Sequence, residues 1–134
     1  MKLNVDAVRK ILFCLEQNLL VSEEGEFQCV GFRNISEWCE LSVGETLNTL
    51  CVLRDAGAIA CDDDFGCDIV NEFDVSRLTY FGYQLLESLK PEAFLQKLKA
   101  ASEKGISVTF ETIIQSAKSL AVPAIVDFVK KNIV

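Results

Sequence analysis

Six cysteines and not one histidine define the chemistry open to this chain. Without imidazole there is no Ser-His-Asp or Cys-His catalysis, no His-ligated metal and no His pH switch. An enzyme would have to work with carboxylates, lysine, tyrosine or thiols, and acid–base chemistry near neutrality would need strongly shifted pKa values. No pattern in the sequence signals them, so no enzyme is expected. The cysteines are Cys14, Cys29, Cys39, Cys51, Cys61 and Cys67; no Cys-x-x-Cys occurs, and the closest pair, Cys61 and Cys67, is six apart. Structural zinc requires clustered thiolates or imidazoles, so neither metal nor cofactor is expected. Met1 to Leu20 is interrupted by Asp6, Arg9 and Lys10 and lacks the plan of a signal peptide. The expectation is a cytoplasmic protein with free thiols, in which Cys14, Cys39 and Cys51 act as small apolar residues on helices.

The carboxylates are the second candidate group. Residues 1–75 carry fifteen acids and five bases, a net of −10, whereas residues 76–134 carry five acids and eight bases, a net of +3. A surface that faces phosphates concentrates Lys and Arg; the first half does the opposite. The run Asp62-Asp63-Asp64-Phe65-Gly66 reads as a solvated acidic turn. Aligned as a calcium loop on Gly66, it puts Glu72 at the twelfth position but Cys61 at the first ligand position and Phe65 at the fifth, which are the wrong donors. Asp62, Asp63, Asp64 and Phe65 are instead the candidate contact for a partner.

The elements that position these groups follow from periodicity. At 134 residues the chain suits one domain and can bury about two-thirds of its unfolded surface. Asn4 is placed to cap a helix over residues 5–19, with Val5, Val8, Ile11, Leu12, Leu15 and Leu19 on its apolar spacing. Residues 27–32 read as a strand. Asn34 with Glu37, and Ser42 with Glu45, each fit a capping box. The first opens a short helix with Ile35, Trp38 and Cys39 on one face. The second opens a longer helix with Val43, Leu47, Leu50 and Leu53 inward, closed by Gly57 as a left-handed cap. Residues 58–61 and 69–78 read as strands of a hairpin whose turn is the aspartate run. Thr79 can cap a helix with Phe81, Leu85 and Leu89 on one face. Pro91 can begin another with Phe94, Leu95, Leu98 and Ala101, ended by Gly105. Phe110, Ile113, Ile114, Ala117 and Ala121 mark a further helix, and Pro123 breaks the chain or starts a last one.

A short helix, a tight turn, a longer helix and a hairpin make the winged helix-turn-helix pattern. The expected fold class is α+β, a winged helix over residues 1–90 with appended C-terminal helices over 91–134, in one domain. Such a fold reads the major groove with its second helix-turn-helix helix. The residues expected to be exposed there are Gly44, Glu45, Asn48, Thr49, Val52 and Asp55. Asn48, Thr49 and Arg54 are the candidates for reading DNA.

The same stretches resemble a known family. Met1-Lys2-Leu3-Asn4 with Val8-Arg9-Lys10-Ile11-Leu12 is similar to its start, and Leu50-x-x-Leu53-x-x-Ala56-Gly57-Ala58-Ile59 to its middle. Leu78-Thr79-Tyr80-Phe81-Gly82-Tyr83 resembles its Leu-Thr-x-x-Gly-His signature, and Phe94 through Gly105 to Val108-x-Phe110-Glu111 its tail. The family is a set of small phage- and prophage-associated bacterial proteins, a domain of unknown function regarded as winged-helix-like. Tyr83 stands where the family has His, and Leu85 or Leu86 where it has Phe. The reading for both positions is a helix packing onto the sheet. The resemblance implies no catalytic residues.

Two functions of different classes follow. One is a non-enzymatic phage or prophage interaction module acting on a protein partner through an acidic wing. The other is a transcriptional regulator binding duplex DNA, which the acidic charge disfavours. The longest apolar run, Leu120 to Val126, has seven residues, too few for a membrane span. It is read as core or as part of a homodimer surface over residues 110–134.

Overall fold

The first helix, α1 (Val5–Asn18), begins where Asn4 accepts the Ala7 N–H at 3.2 Å through its side-chain oxygen. Its buried residues, Val5, Ala7, Val8, Ile11, Leu12 and Leu15, recur at three- and four-residue spacing and form the axis of the core. The computed structural model describes residues 3–65, 70–106 and 108–117. These form an α+β arrangement of six helices and a small three-stranded antiparallel sheet.

The expected strand over 27–32 is divided. A ribbon of β1 (Leu20–Val21) and β2 (Phe27–Gln28) closes around Gly25, at φ 88°, and is separate from β3 (Val30–Gly31), which joins the main sheet. Phe32 already belongs to α2 (Phe32–Cys39), so Asn34 lies inside that helix and caps nothing; Gly31 is the N-cap. The start is set by burial of Phe32 and Ile35 in the core, which outweighs the capping preference of Asn34. Helix α2 ends at Glu40, at φ 55°, the left-handed region, and the Ser36 hydroxyl donates to the Leu41 carbonyl at 2.6 Å to close the turn. Helix α3 (Val43–Asp55) then opens at Ser42, whose hydroxyl accepts the Glu45 N–H at 3.1 Å. Gly57, at φ 78°, ends it.

The hairpin pairs β4 (Ile59–Phe65) with β5 (Val70–Leu78), and the sheet order is β3-β5-β4. Here the expected acidic turn is corrected. Asp62, Asp63 and Asp64 are ladder residues, opposite Asp74, Phe73 and Glu72, and Phe65 is opposite Val70. Aspartate disfavours strands weakly, and backbone pairing along a two-stranded ladder overrides that preference. Ser76 is the extra residue where the register shifts between Ala60 and Cys61, and its hydroxyl donates to the Ala60 carbonyl at 3.1 Å.

Thr79 caps α4 (Tyr80–Leu89) by accepting the Gly82 N–H at 3.1 Å. Pro91 stands just before α5 (Glu92–Glu103), one position earlier than expected, and Gly105 follows it at φ 84°. Residues 110–117 are helical, opened by a reciprocal pair: the Thr112 N–H donates to the Thr109 hydroxyl at 3.2 Å, and the Thr109 N–H to the Thr112 hydroxyl at 2.8 Å. Phe110, Ile113 and Ile114 are buried in the same core as α1. The remainder of the expected dimer surface, residues 118–134, lies outside the described residues, as does Cys67.

Arg9 holds α1 to the α4–α5 junction. Its guanidinium donates to the carbonyls of Leu89 (2.9 Å) and Lys90 (3.1 Å), and it pairs with Glu92 at 3.3 Å. Those carbonyls are orphan acceptors at a helix end, so one planar fork satisfies two of them and bonds a carboxylate as well.

Candidate functional site

The face of α3 expected to read DNA is turned partly into the protein. Its buried residues are Thr46, Thr49, Leu50 and Leu53, whereas Val43 is exposed and Leu47 half-buried. The helical wheel allows either stripe, because Leu50 and Leu53 belong to both. The start of the chain decides between them. Asn4 donates from its side-chain nitrogen to Glu45, and Leu3, Asn4, Glu45, Asn48, Thr49 and Lys99 line one cleft of about 430 Å³. Thr49, only 3% exposed, is unavailable to a base edge, and Asn48 is half-buried. Arg54 is half-buried, bonded to the neighbouring Asp55 at 3.3 Å and lying 5.8 Å from the Phe73 ring centroid. The structure therefore does not bring Asn48, Thr49 and Arg54 together on an open surface.

Of the described cations, Arg33, Arg77, Lys97 and Lys104 are exposed and make no ion pair with a described carboxylate; the others are engaged. Arg9, Lys10, Arg54, Lys90 and Lys99 each lie within 4.0 Å of a carboxylate. Lys90 bonds Glu87 at 2.6 Å and lies 3.5 Å from Glu16; chiefly the Glu87 bond holds its ammonium above the ordinary lysine pKa.

The hairpin is the acidic element. Asp62 is opposite Asp74 in the ladder, and two residues on, Asp64 is opposite Glu72. Among the described residues neither Glu72 nor Asp74 has an ion-pair partner. A Cβ at Gly31 would stand 3.2 Å from the Asp74 carboxylate oxygen.

The Leu78-Thr79-x-x-Gly82 signature is a joint between α4 and the start of β4. The Thr79 N–H donates to the Ala58 carbonyl at 3.1 Å, and its hydroxyl donates to the Gly57 carbonyl at 2.5 Å. Gly82 packs so closely that a Cβ would come within 2.1 Å of the Ala58 carbonyl oxygen. Leu85 and Leu86 are buried, but Tyr83 is not packed on the sheet as expected. It is 49% exposed and, with Tyr80, lines a groove of about 630 Å³ among α4, α5 and residues 110–117.

A thiol pair is the feature that sequence spacing hides. Cys14 on α1 and Cys39 on α2 are 25 residues apart in sequence. They share a cleft of about 380 Å³ with Arg9, Lys10, Asn18 and Trp38. Periodicity puts Trp38 on the buried face of α2, but it is 51% exposed at this cleft. The Cys39 Sγ donates to the Lys10 carbonyl at 3.6 Å, and Asn18 Nδ2 lies 3.7 Å from the Cys14 Sγ. The Cys39 thiol beside it, aided by the Asn18 amide, holds Cys14 below the ordinary thiol pKa against the effect of burial. Cys14, with burial, in turn pushes Cys39 up. Cys14, Cys29 and Cys39 are thiols not joined in disulfides, and among the described residues no three His, Cys, Asp or Glu side chains converge to hold a metal. No described helix is long and apolar enough to cross a membrane.

No protein-family model matches the sequence, and a search of curated proteins returns no match.

Proposed function

We propose that this chain is a winged helix-turn-helix with appended C-terminal helices, serving as a non-enzymatic interaction module that binds a basic protein partner through its acidic hairpin. The order α1, β3, α2, α3, β4, β5, with β3 on the sheet edge beside β5, supports the winged-helix reading. Helix α5 and residues 110–117 are the described portion of the appended part. The observation that carries the function is the state of α3. Two of its candidate reading residues, Asn48 and Thr49, share a cleft with the chain start and Lys99, and Thr49 is buried. Affinity for DNA rests on cations set against phosphates. Arg54, the one cation of α3, is paired with Asp55, and the hairpin that would flank the duplex carries aspartates. The resemblance to phage and prophage proteins supports a role in phage or host control, and the acidic hairpin suits a partner whose own surface binds nucleic acid.

A mobility-shift assay at low salt with random and cognate-genome duplexes tests this reading. No shift below micromolar protein is expected. Sub-micromolar binding that is lost in Asn48→Ala or Arg54→Ala would replace the module with a DNA-binding regulator.

A further inference from the structure

We propose that Cys14 and Cys39 form an oxidisable dithiol, in which Cys14 reacts with a hydroperoxide and Cys39 resolves the product to a disulfide tying α1 to α2. The two sulfurs come from different helices yet open onto the same cleft. Cys14 is half-buried and Cys39 8% exposed, and both line this cleft. Arg9 and Lys10 line the cleft as cations and Glu40 as an acid.

The hydrogen bonding divides the roles. Asn18 anchors its amide on the Cys14 carbonyl at 2.7 Å and presents the same nitrogen to the Cys14 sulfur, where an anion would be stabilised. Cys39 has one S–H, which donates to the Lys10 carbonyl. Lys10 lies one helical turn before Cys14, so that carbonyl holds the Cys39 thiol beside the turn of α1 that carries Cys14. A nucleophilic, accessible thiol beside a resolving thiol is the arrangement of peroxide-sensitive cysteines.

The steps balance with a hydroperoxide as oxidant. The Cys14 thiolate attacks the outer peroxide oxygen; the S–O bond forms, the O–O bond breaks, and the leaving alkoxide or hydroxide takes a proton. Cys39 then attacks the Cys14 sulfenic sulfur and gives up its proton. The S–S bond forms, the S–O bond breaks, and hydroxide leaves as water. Two thiols are oxidised by two electrons and the peroxide is reduced. Closing the pair needs the sulfurs to approach to about 2.05 Å across the α1–α2 contact.

The experiment uses the full reduced chain, limiting hydrogen peroxide, alkylation of residual thiols and peptide mapping. Cys14 is expected to be consumed about tenfold faster than the exposed Cys29, with a Cys14–Cys39 linked peptide as the main product. Trp38, the sole tryptophan and a wall of the same cleft, should change its emission in step and recover with dithiothreitol. In Cys39→Ser the Cys14 sulfenic acid should persist and be trapped by dimedone. Oxidation of Cys29 at the same rate as Cys14, or a disulfide joining any other pair, overturns the proposal. Mapping on the unsubstituted chain decides between these outcomes even if a variant fails to fold.

Discussion

Asp62 stands directly opposite Asp74 in the β4–β5 ladder, and the next pair on the same side of the register, Asp64 and Glu72, repeats the like-charge pairing. Cross-strand neighbours of one sign repel, and each pair weakens a hairpin by about 0.2–1 kcal/mol. Glu72 is exposed, so its replacement disturbs no packing. Glu72→Gln should therefore raise the urea midpoint by an amount in that range, with the gain shrinking as salt screens the wild-type repulsion. A loss of stability would mean that the carboxylate is held by a cation.

Gly82→Ala tests the joint between α4 and β4. The added methyl carbon would meet the Ala58 carbonyl oxygen at 2.1 Å, and that oxygen already accepts the Thr79 N–H. Backbone must move, so a loss of about 3 kcal/mol is expected, at the upper end for overpacking. Thr79→Ala should cost about 1 kcal/mol as a lost cap. Equal, small effects of the two changes in denaturant titrations would contradict the close approach.

Arg9→Ala removes two hydrogen bonds to the end of α4 and the ion pair to Glu92. Bonds involving a charged group contribute about 1.5–3 kcal/mol, and the orphaned carbonyls are part-buried. Destabilisation of about 2–3 kcal/mol is expected. Arg9→Lys should recover less than half of it, because an ammonium cannot copy the planar fork. Full recovery by lysine would reduce the contact to simple charge.

Much of this architecture is legible in the residues themselves. Asn4, Ser42, Thr79, Gly57 and Gly105 announce helix ends through local chemistry, and each performs that role. The stripe Val5, Val8, Ile11, Leu12, Leu15 is buried as its spacing requires. What depends on distant segments is not legible. The aspartates read as a turn locally but are paired by β5, and Thr49 reads as exposed but is buried in the fold. Arg9 and the cleft shared by Cys14 and Cys39 leave no spacing signal, because the groups brought together lie 80 and 25 residues apart. Cysteine periodicity alone makes both thiols look like small apolar residues.

Recognition through the acidic hairpin is tested most directly by fluorescence anisotropy at low salt. The probes are a labelled Lys/Arg-rich peptide and a labelled DNA duplex, set against wild-type protein and two variants of equal charge change. One variant carries Asp62→Asn, Asp64→Asn, Glu72→Gln and Asp74→Asn; the other carries Glu23→Gln, Glu24→Gln, Glu26→Gln and Glu37→Gln. The expected result is salt-sensitive peptide binding that falls about tenfold or more in the hairpin variant, equivalent to about 1.4 kcal/mol, and little in the control, with no binding of duplex. Equal losses in both variants, or sub-micromolar binding of the duplex by the wild-type chain, would contradict it.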